Sequence, residues 1–161
     1  MAVNKGLLRE KEDFQKLILE HLHNDNGYVI RDAGNFNAGL AMDPQMLFSF
    51  LRTTQYEAFE KLEKIYKDKT QETILNFINN EINKKNRGLI DVLKNGIDFG
   101  SGVKLNLMYR RSAASFNKKL NELYSQNILS VMEEVRYKEN ERIIILLQYS
   151  KNKVLTGFYT I

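Results

Sequence analysis

The last part of the chain, LSVMEEVRYKENERIIILLQYSKNKVLTGFYTI (129–161), decides the fold class. Its first third alternates apolar with polar residues, and branched apolar residues dominate the rest, a pattern that is typical of β-strands. The connections KEN and SKNK are short and polar. We therefore predict three strands, at 129–137, 142–149 and 154–161, which pair as an antiparallel meander. The run IIILL predicts a central strand that is covered on both faces.

Helical spacing dominates the chain before Gly96. Apolar residues recur at three- and four-residue spacing near the N-terminus, which predicts a helix with an inward-facing stripe of Phe14, Leu17, Ile18 and Leu22. Asp43 and Pro44 predict the start of a second helix, with a capping carboxylate followed by proline in the first turn. The same spacing predicts further helices, and their inward-facing residues include Met46, Leu47, Phe50, Leu51, Phe59, Leu62, Ile74 and Ile78.

Beyond Gly96 the apolar period changes from that of a helix to that of a strand. Alternation over 103–109 predicts a half-buried strand. The run FNKKLNELYSQN (116–127) predicts a short amphipathic helix with Leu120, Leu123 and Tyr124 on its inner side. The sequence has no internal repeat and no low-complexity linker. We therefore predict one α+β domain, 1–161, with helices first and a mainly antiparallel sheet last.

The composition is that of an ordinary globular protein. Of the 161 residues, 43% are hydrophobic and 27% are charged, and the formal net charge is +4. This mild basic excess is compatible with nucleic-acid binding but does not demand it. The absence of cysteine excludes disulfides and a cysteine nucleophile, and it indicates a reducing compartment. No apolar run is long enough to cross a bilayer, and the first residues lack a signal core, so we expect a cytoplasmic protein without a membrane partner.

Two long segments contain short motifs in a definite order. The first is GYVIRDAGNFNAGLAMDPQMLFSFLRTTQYEAFEKL (27–62), with Gly-Tyr, Arg-Asp, Asp-Pro, FL and TQ. The second is LKNGIDFGSGVKLNLMYRRSAASFNKKLNELYSQNILSVMEEVRY (93–137), with ELY, SV and RY. In this order and spacing they resemble the N-terminal nuclease region of the R (restriction) subunit of type I restriction-modification enzymes. The ordered set is specific, although no single motif is.

The resemblance implies a PD-(D/E)xK nuclease fold which, in a full subunit, is followed by two helicase-like motor domains. Such a subunit is similar to an ATP-driven DNA translocase that cleaves unmodified DNA in a complex with methyltransferase and specificity subunits. The implied cofactors are Mg²⁺ for the nuclease and ATP for the motor. Because this chain contains no G-x-x-x-x-G-K-[ST] phosphate loop, we expect ATP to act in the full subunit only.

The implied catalytic groups are one Asp and an E-x-K on neighbouring strands. The two carboxylates would hold Mg²⁺ and the Lys would position the attacking water. In the resembling strands these positions fall on Ile144, Phe158 and Thr160, which offer neither a carboxylate nor a positive charge. We therefore expect no catalytic residue in this chain and no tight binding of Mg²⁺. Decay of the site, a frameshift and a truncation all fit the sequence.

Five charged residues are candidates for a site, each beside a plainer interpretation. Glu20 is a weak candidate for the helical carboxylate that assists metal binding in this nuclease class, and a solvated helix face is the favoured interpretation. The predicted DNA-binding residues are Arg110, Arg111, Lys118 and Lys119. A chance surface cluster is the alternative, since phosphate contacts need only scattered basic residues.

Other residues are predicted to have structural roles. Thr53, Thr54 and Gln55 should cap the following helix and bond to backbone groups. The phenylalanines at helical spacing are expected in the core and not as platforms for stacked bases; they are Phe48, Phe50, Phe59 and Phe77.

Three functions follow from these observations. The chain is expected to be a nuclease-like domain of a restriction subunit without catalytic residues. A non-enzymatic module that binds DNA or the partner subunits, and a decayed gene product, are the alternatives. A homodimer is a further expectation, because an edge strand at 154–161 could pair with a second copy.

Overall fold

The computed structural model describes residues 5–100, 102–111, 117–138 and 141–148, with side chains described for 13–100, 102–111 and 117–135. The chain divides into two compact units. Unit 1 comprises Met1–Asn35 and Leu129–Ile161, and unit 2 comprises Phe36–Ile128. The mixture of helices and strands confirms the α+β class. The prediction of one domain stays a prediction, as does its nuclease-like topology.

Unit 1 contains one long helix and a three-stranded sheet. Helix α1 (Lys5–Asn26) precedes strand β1 (Val29–Arg31), and strands β4 (Ser130–Lys138) and β5 (Glu141–Gln148) come from the other end of the chain. The strand order is β1-β4-β5, so β4 lies in the centre of the described sheet. The antiparallel pairing of β4 with β5 was predicted correctly. The parallel pairing of β1 with β4 was not predicted.

Helix α1 faces its unit with a different side from the predicted stripe. Phe14 and Leu17 are 63% and 64% exposed, whereas Gln15 and Leu19 are buried. Leu19 packs in a small core with Tyr28, Leu129 and Val131, and Leu22 lies against it. The predicted stripe was therefore wrong for Phe14 and Leu17. The predicted stripe is off by about one residue, which corresponds to a rotation of roughly 100° around the helix axis.

The first part of unit 2 along the chain contains four α-helices. They are α2 (Pro44–Thr54), α3 (Tyr56–Tyr66), α4 (Thr70–Ile82) and α5 (Leu89–Asn95). The predicted helix start is confirmed, because the Asp43 carboxylate accepts hydrogen bonds from the backbone N–H groups of Gln45 and Met46. Most of the predicted inward-facing residues are buried, and they include Leu47, Phe48, Phe50, Leu51, Phe59, Leu62, Ile74 and Ile78. The core prediction holds for Phe48, Phe50 and Phe59, whereas Phe77 is half-buried and stacks on Phe99.

The strand predicted at 103–109 is much shorter in the structure. Only β3 (Lys104–Leu105) forms, and it pairs antiparallel with β2 (Ile97–Asp98). Gly96 precedes β2 with φ +70°, and a Cβ there would collide with the carbonyl oxygen of Leu105. Beyond β3, the backbone of Asn106 and Tyr109 bonds to side chains of Gln55 and Asn127. Side chains thus take the place of a neighbouring strand.

Helix α6 (Lys118–Ser125) forms where it was predicted, and of its predicted inner residues Leu123 and Tyr124 are half-buried, whereas the prediction was wrong for Leu120. Leu120 is 42% exposed and none of the residues of α6 is buried. Two predictions lie outside the described residues: the strand at 154–161, and the burial of the IIILL side chains in β5. None of the described helices combines the length and the apolar character that a bilayer crossing needs.

Candidate functional site

The predicted DNA-binding residues all lie at the surface of unit 2. Arg110, Arg111, Lys118 and Lys119 are exposed. The Arg110 guanidinium is held on α5, because its Nε donates to the carbonyl oxygen of Lys94 at 3.1 Å and its Nη2 donates to Asn95 Oδ1 at 2.8 Å. Residues 112–116 between the two pairs lie outside the described range. Each pair therefore lies at the surface of unit 2.

Lys118 and Lys119 occupy the first turn of α6. The Asn117 side chain caps this helix by accepting a hydrogen bond from the Leu120 N–H at 3.1 Å, and no acidic residue lies in the first turn. The N-terminus of a helix carries a partial positive charge. The two ammonium groups have the same sign as that partial charge, so this end of α6 attracts anions and repels cations.

The structure leaves the weak metal candidate at the surface of α1. The Glu20 side chain is 53% exposed, and its Oε1 lies 4.0 Å from the Lys16 Nζ. Within the described side chains, no three His, Cys, Asp or Glu residues converge as a metal-binding group. Ile144 lies in β5, whose side chains are not described, and Phe158 and Thr160 lie outside the described residues.

The Thr53–Gln55 segment bonds to backbone groups, as predicted. The hydroxyls of Thr53 and Thr54 donate to the carbonyl oxygens of Ser49 and Phe50, one turn earlier in α2. The Gln55 amide forms two bonds to the backbone of Asn106, at 2.7 Å and 2.8 Å. The capping role was predicted wrongly. Gln55 occupies the N-cap position of α3, but its side chain makes no capping hydrogen bond there.

A cluster of charges joins α4 to α5 around Arg87. Its guanidinium donates to Glu81, to Asp91 Oδ2 at 2.8 Å and to the carbonyl oxygen of Gly96 at 2.6 Å. Hydrogen bonds from Lys84 and then Arg87 lower the pKa of Glu81 below its ordinary value. The Arg87 hydrogen bond likewise lowers the pKa of Asp91. The charged groups of this cluster pair with one another and link α4 to α5, which is a structural role.

A cavity of about 720 Å³ in unit 1 was missed by the sequence analysis. Its walls are Gln15, Lys16, Leu19, Ile30, Arg31, Asp32, Ala33, Glu133 and Glu134. The wall residues come from α1, from β1 and the residues that follow it, and from β4, and the parallel register of β1 and β4 sets Arg31 beside Met132. The spacing of residues in the sequence could not predict that these segments meet, because about a hundred residues separate β1 from β4.

Comparison of the chain with known protein families, with curated proteins and with solved structures finds no match. The resemblance to restriction subunits therefore depends on the two sequence segments alone.

Proposed function

We propose that this chain is the N-terminal nuclease-like domain of a type I restriction enzyme R subunit. It has no catalytic residues of its own, and it acts in DNA restriction inside a complex with methyltransferase and specificity subunits. Its contribution is contact with DNA, through basic residues of unit 2. ATP chemistry belongs to the motor domains of a full subunit, and this chain is not expected to bind Mg²⁺ tightly.

The observation that supports this proposal is the contact between the two segments that resemble the family. In unit 1, β1 of the first segment pairs with β4 of the second, with Val29 opposite Ser130 and Ile30 opposite Val131. In unit 2, Gln55 of the first segment bonds to Asn106 of the second. Motifs that are far apart in sequence are thus neighbours in both units, which is what a shared structural core requires.

The DNA contact is assigned to Lys118 and Lys119. They are exposed, and the N-terminus of α6 adds a partial positive charge of the same sign. Binding of this kind releases counterions from the phosphate backbone, so it weakens steeply as salt is raised. Arg110 is a poorer contact, because its guanidinium already binds α5.

Cleavage assays test the absence of catalytic residues. The purified chain, incubated with plasmid DNA and Mg²⁺ or Mn²⁺, should leave supercoiled DNA intact, because Ile144, Phe158 and Thr160 stand where the family has its Asp, Glu and Lys. Metal-dependent nicking by the chain that disappears in Glu20→Ala would refute this part of the proposal.

Salt-dependent duplex binding tests the DNA contact. We expect the double variant Lys118→Ala/Lys119→Ala to bind duplex DNA more weakly, and to lower the slope of log K against log salt by about 1.8, since each neutralised phosphate contributes roughly 0.9. The matched control is Lys61→Ala/Lys64→Ala, which removes two exposed lysines from α3. Equal losses in the two double variants would show that only net charge matters and would contradict a defined contact.

A scaffold that binds the partner subunits is the second candidate function. Phe14 and Leu17 favour it, because they are exposed and lie three residues apart on one face of α1. Co-purification with methyltransferase and specificity subunits should then fail for Phe14→Lys/Leu17→Lys and survive in Lys118→Ala/Lys119→Ala. The control is Ile65→Lys, an exposed apolar residue of unit 2. Loss of co-purification in the control as well would contradict a specific surface.

A further inference from the structure

The sequence contains two Asn-Gly pairs, and each lies at the C-terminal end of a helix. Asn26 is the last residue of α1, and Asn95 is the last residue of α5. The glycines that follow have φ +69° and +70°. Each donates its N–H to the carbonyl oxygen four residues earlier, at 3.2 Å and 2.9 Å. Glycine is the usual residue for this left-handed end of a helix. The two pairs therefore share both sequence and backbone geometry.

An Asn-Gly pair has its own chemistry in water. The backbone nitrogen of the glycine attacks the side-chain carbonyl carbon of the asparagine, and ammonia leaves with the proton that this nitrogen loses. Water then opens the cyclic imide at either carbonyl, which gives an aspartate or an isoaspartate. Glycine favours the reaction because it has no Cβ beside the attacking nitrogen and because its backbone rotates easily. Contacts that fix the asparagine side chain or the glycine peptide therefore slow it.

The pair at the end of α5 is fixed from both sides. The Asn95 Nδ2 donates to Asp91 Oδ1 at 2.5 Å, and the Asn95 Oδ1 accepts from Arg110 Nη2 at 2.8 Å. Gly96 is buried, and a Cβ there would collide with the carbonyl oxygen of Leu105. Neither the side chain nor the glycine peptide has room to rotate toward the other.

The pair at the end of α1 is open. Asn26 and Gly27 are both exposed. The Asn26 Nδ2 donates to the carbonyl oxygen of His21 at 3.2 Å, a longer hydrogen bond than either of those at Asn95. A Cβ on Gly27 would meet no described atom within 4 Å. The side chain and the peptide that must approach each other therefore have space at this pair.

We propose that Asn26 is a site of spontaneous deamidation and backbone isomerisation, and that the fold protects the same dipeptide at Asn95. The reactants are the Asn26 side-chain amide, the Gly27 backbone nitrogen and water. The product is an aspartate or isoaspartate at position 26, with one additional negative charge.

This modification alters the connection from α1 to β1. The Tyr28 N–H donates to the carbonyl oxygen of Leu22 at 3.0 Å, and the His23 Nδ1 lies 2.7 Å from the Tyr28 carbonyl oxygen. An isoaspartate adds one carbon to the backbone at this point, so the two bonds cannot both keep their geometry. The new carboxylate also lies at the negative end of the helix dipole, which is unfavourable. Because Tyr28 belongs to the core of unit 1, the product loosens α1.

Ageing of the intact folded chain at neutral pH tests the proposal. Peptides are analysed by mass spectrometry, and digestion in heavy-oxygen water marks any deamidation that occurs after unfolding. We expect Asn26 to lose its amide about tenfold faster than Asn95, a ratio that a modest difference in activation free energy produces. In guanidinium chloride the two rates should agree within about twofold, because both pairs are then unrestrained. Equal rates in the folded chain, a tenfold ratio that persists in denaturant, or a rate at Asn26 no higher than at Asn24 would overturn the proposal.

Two variants test the restraint and the consequence separately. Arg110→Gln removes the donor to Asn95 Oδ1, so it should raise the rate at Asn95 severalfold and leave the rate at Asn26 unchanged. Asn26→Gln removes the reactive pair, because the longer side chain forms an imide far more slowly. The aged wild-type chain should be cut within α1 faster than the fresh chain, whereas ageing should not change the cutting of Asn26→Gln. Equal cutting of the two aged chains, or an unchanged Asn95 rate in Arg110→Gln, would contradict the inference.

Discussion

At the scale of single residues, Gln55 joins two parts of unit 2 that are 51 residues apart in sequence. Its Nε2 donates to the carbonyl oxygen of Asn106 at 2.7 Å, and its Oε1 accepts from the Asn106 N–H at 2.8 Å. We expect Gln55→Ala to lower the free energy of unfolding by about 2–3 kcal/mol, because two partly buried backbone groups lose their partners. Urea unfolding followed by circular dichroism measures this change.

Gln55→Glu provides a graded comparison for the same contact. A carboxylate can still accept from the Asn106 N–H but cannot donate to the Asn106 carbonyl oxygen. Gln55→Glu should therefore lower the free energy of unfolding by a similar or larger amount than Gln55→Ala. Gln126→Ala at an exposed position after α6 is the control, and it should change stability by less than about 0.5 kcal/mol. If Gln55→Ala is as mild as the control, the two bonds do not hold this part of the unit together.

Lys67 stores backbone strain at the end of α3. Its φ of 52° and ψ of −127° lie in a region that glycine adopts easily and other residues avoid. We expect Lys67→Gly to raise the free energy of unfolding by about 1 kcal/mol, the net of relieved strain and the greater entropy of the unfolded glycine. Its N–H bond to the carbonyl oxygen of Glu63 is kept.

The control for Lys67 is a glycine placed where the backbone is regular. Lys61→Gly in the middle of α3 should lower stability by about 1 kcal/mol, because glycine is a poor helix former. Thermal unfolding of the two variants should thus shift the midpoint in opposite directions. A lower midpoint for Lys67→Gly would mean that the lysine side chain stabilises the fold by more than the strained backbone of Lys67 destabilises it.

At the scale of elements, the Arg87 cluster makes the junction of α4 and α5 sensitive to pH. The ordinary pKa values are 4.5 for Glu81 and 3.8 for Asp91, and both are lowered in the folded protein. Carboxyls with lowered pKa values bind fewer protons in the folded chain than in the unfolded one. Their contribution to stability is therefore present above these ordinary values, and it is lost as the pH falls through the lower folded values.

Arg87→Met tests this dependence. We expect the wild-type chain to be more stable than the variant at pH 7, and the difference to shrink steadily between pH 5 and about pH 2 as the two carboxyls become protonated. Denaturant unfolding at several pH values measures it. Lys85→Met, at an exposed position beside the cluster, should show a small difference that does not vary with pH. A constant difference for Arg87→Met would exclude the cluster as the source.

The helices of unit 2 were predictable because local signals specify them. The Asp43-Pro44 start and the apolar spacing of α2 and α3 need no knowledge of distant residues. The face of α1 was not predictable in this way, since Gln15 lies on its buried side while Phe14 and Leu17 are exposed. Which side of a helix is buried depends on the surface it packs against, and here that surface includes β4, from the far end of the chain.

The candidate sites likewise include one part that local sequence predicts and one part that depends on distant residues. Exposed basic residues can be recognised from composition and position alone, and all four predicted ones are at the surface. The cavity could not be found from sequence, because it needs the parallel pairing of β1 with β4. Parallel pairs have no short connecting turn to mark them. The positive φ of Glu134 has no sequence signal either, since glutamate does not favour that conformation.

At the scale of the whole molecule, the two units differ in how the chain builds them. Unit 2 is one continuous segment, Phe36–Ile128, whereas unit 1 needs both ends of the chain. Most of the buried apolar residues among those described belong to unit 2, and the largest fully buried ones there include Phe59, Leu51, Ile74 and Leu105. A continuous segment with its own core is the usual requirement for independent folding.

We therefore expect the fragment 36–128 to fold alone, with a cooperative urea transition and helical circular dichroism. A second fragment, 36–95, keeps α2 to α5 but lacks β2 and β3, the buried Leu105 and the Asn106 backbone that binds Gln55. It should lose the cooperative transition, because helices of this length are marginal without tertiary packing. If 36–128 melts without a transition, the core of unit 2 depends on the rest of the chain, and the single-domain prediction gains support. If 36–95 unfolds as cooperatively as 36–128, the contacts made by β3 and Asn106 are dispensable, and the expected loss in Gln55→Ala must be small as well.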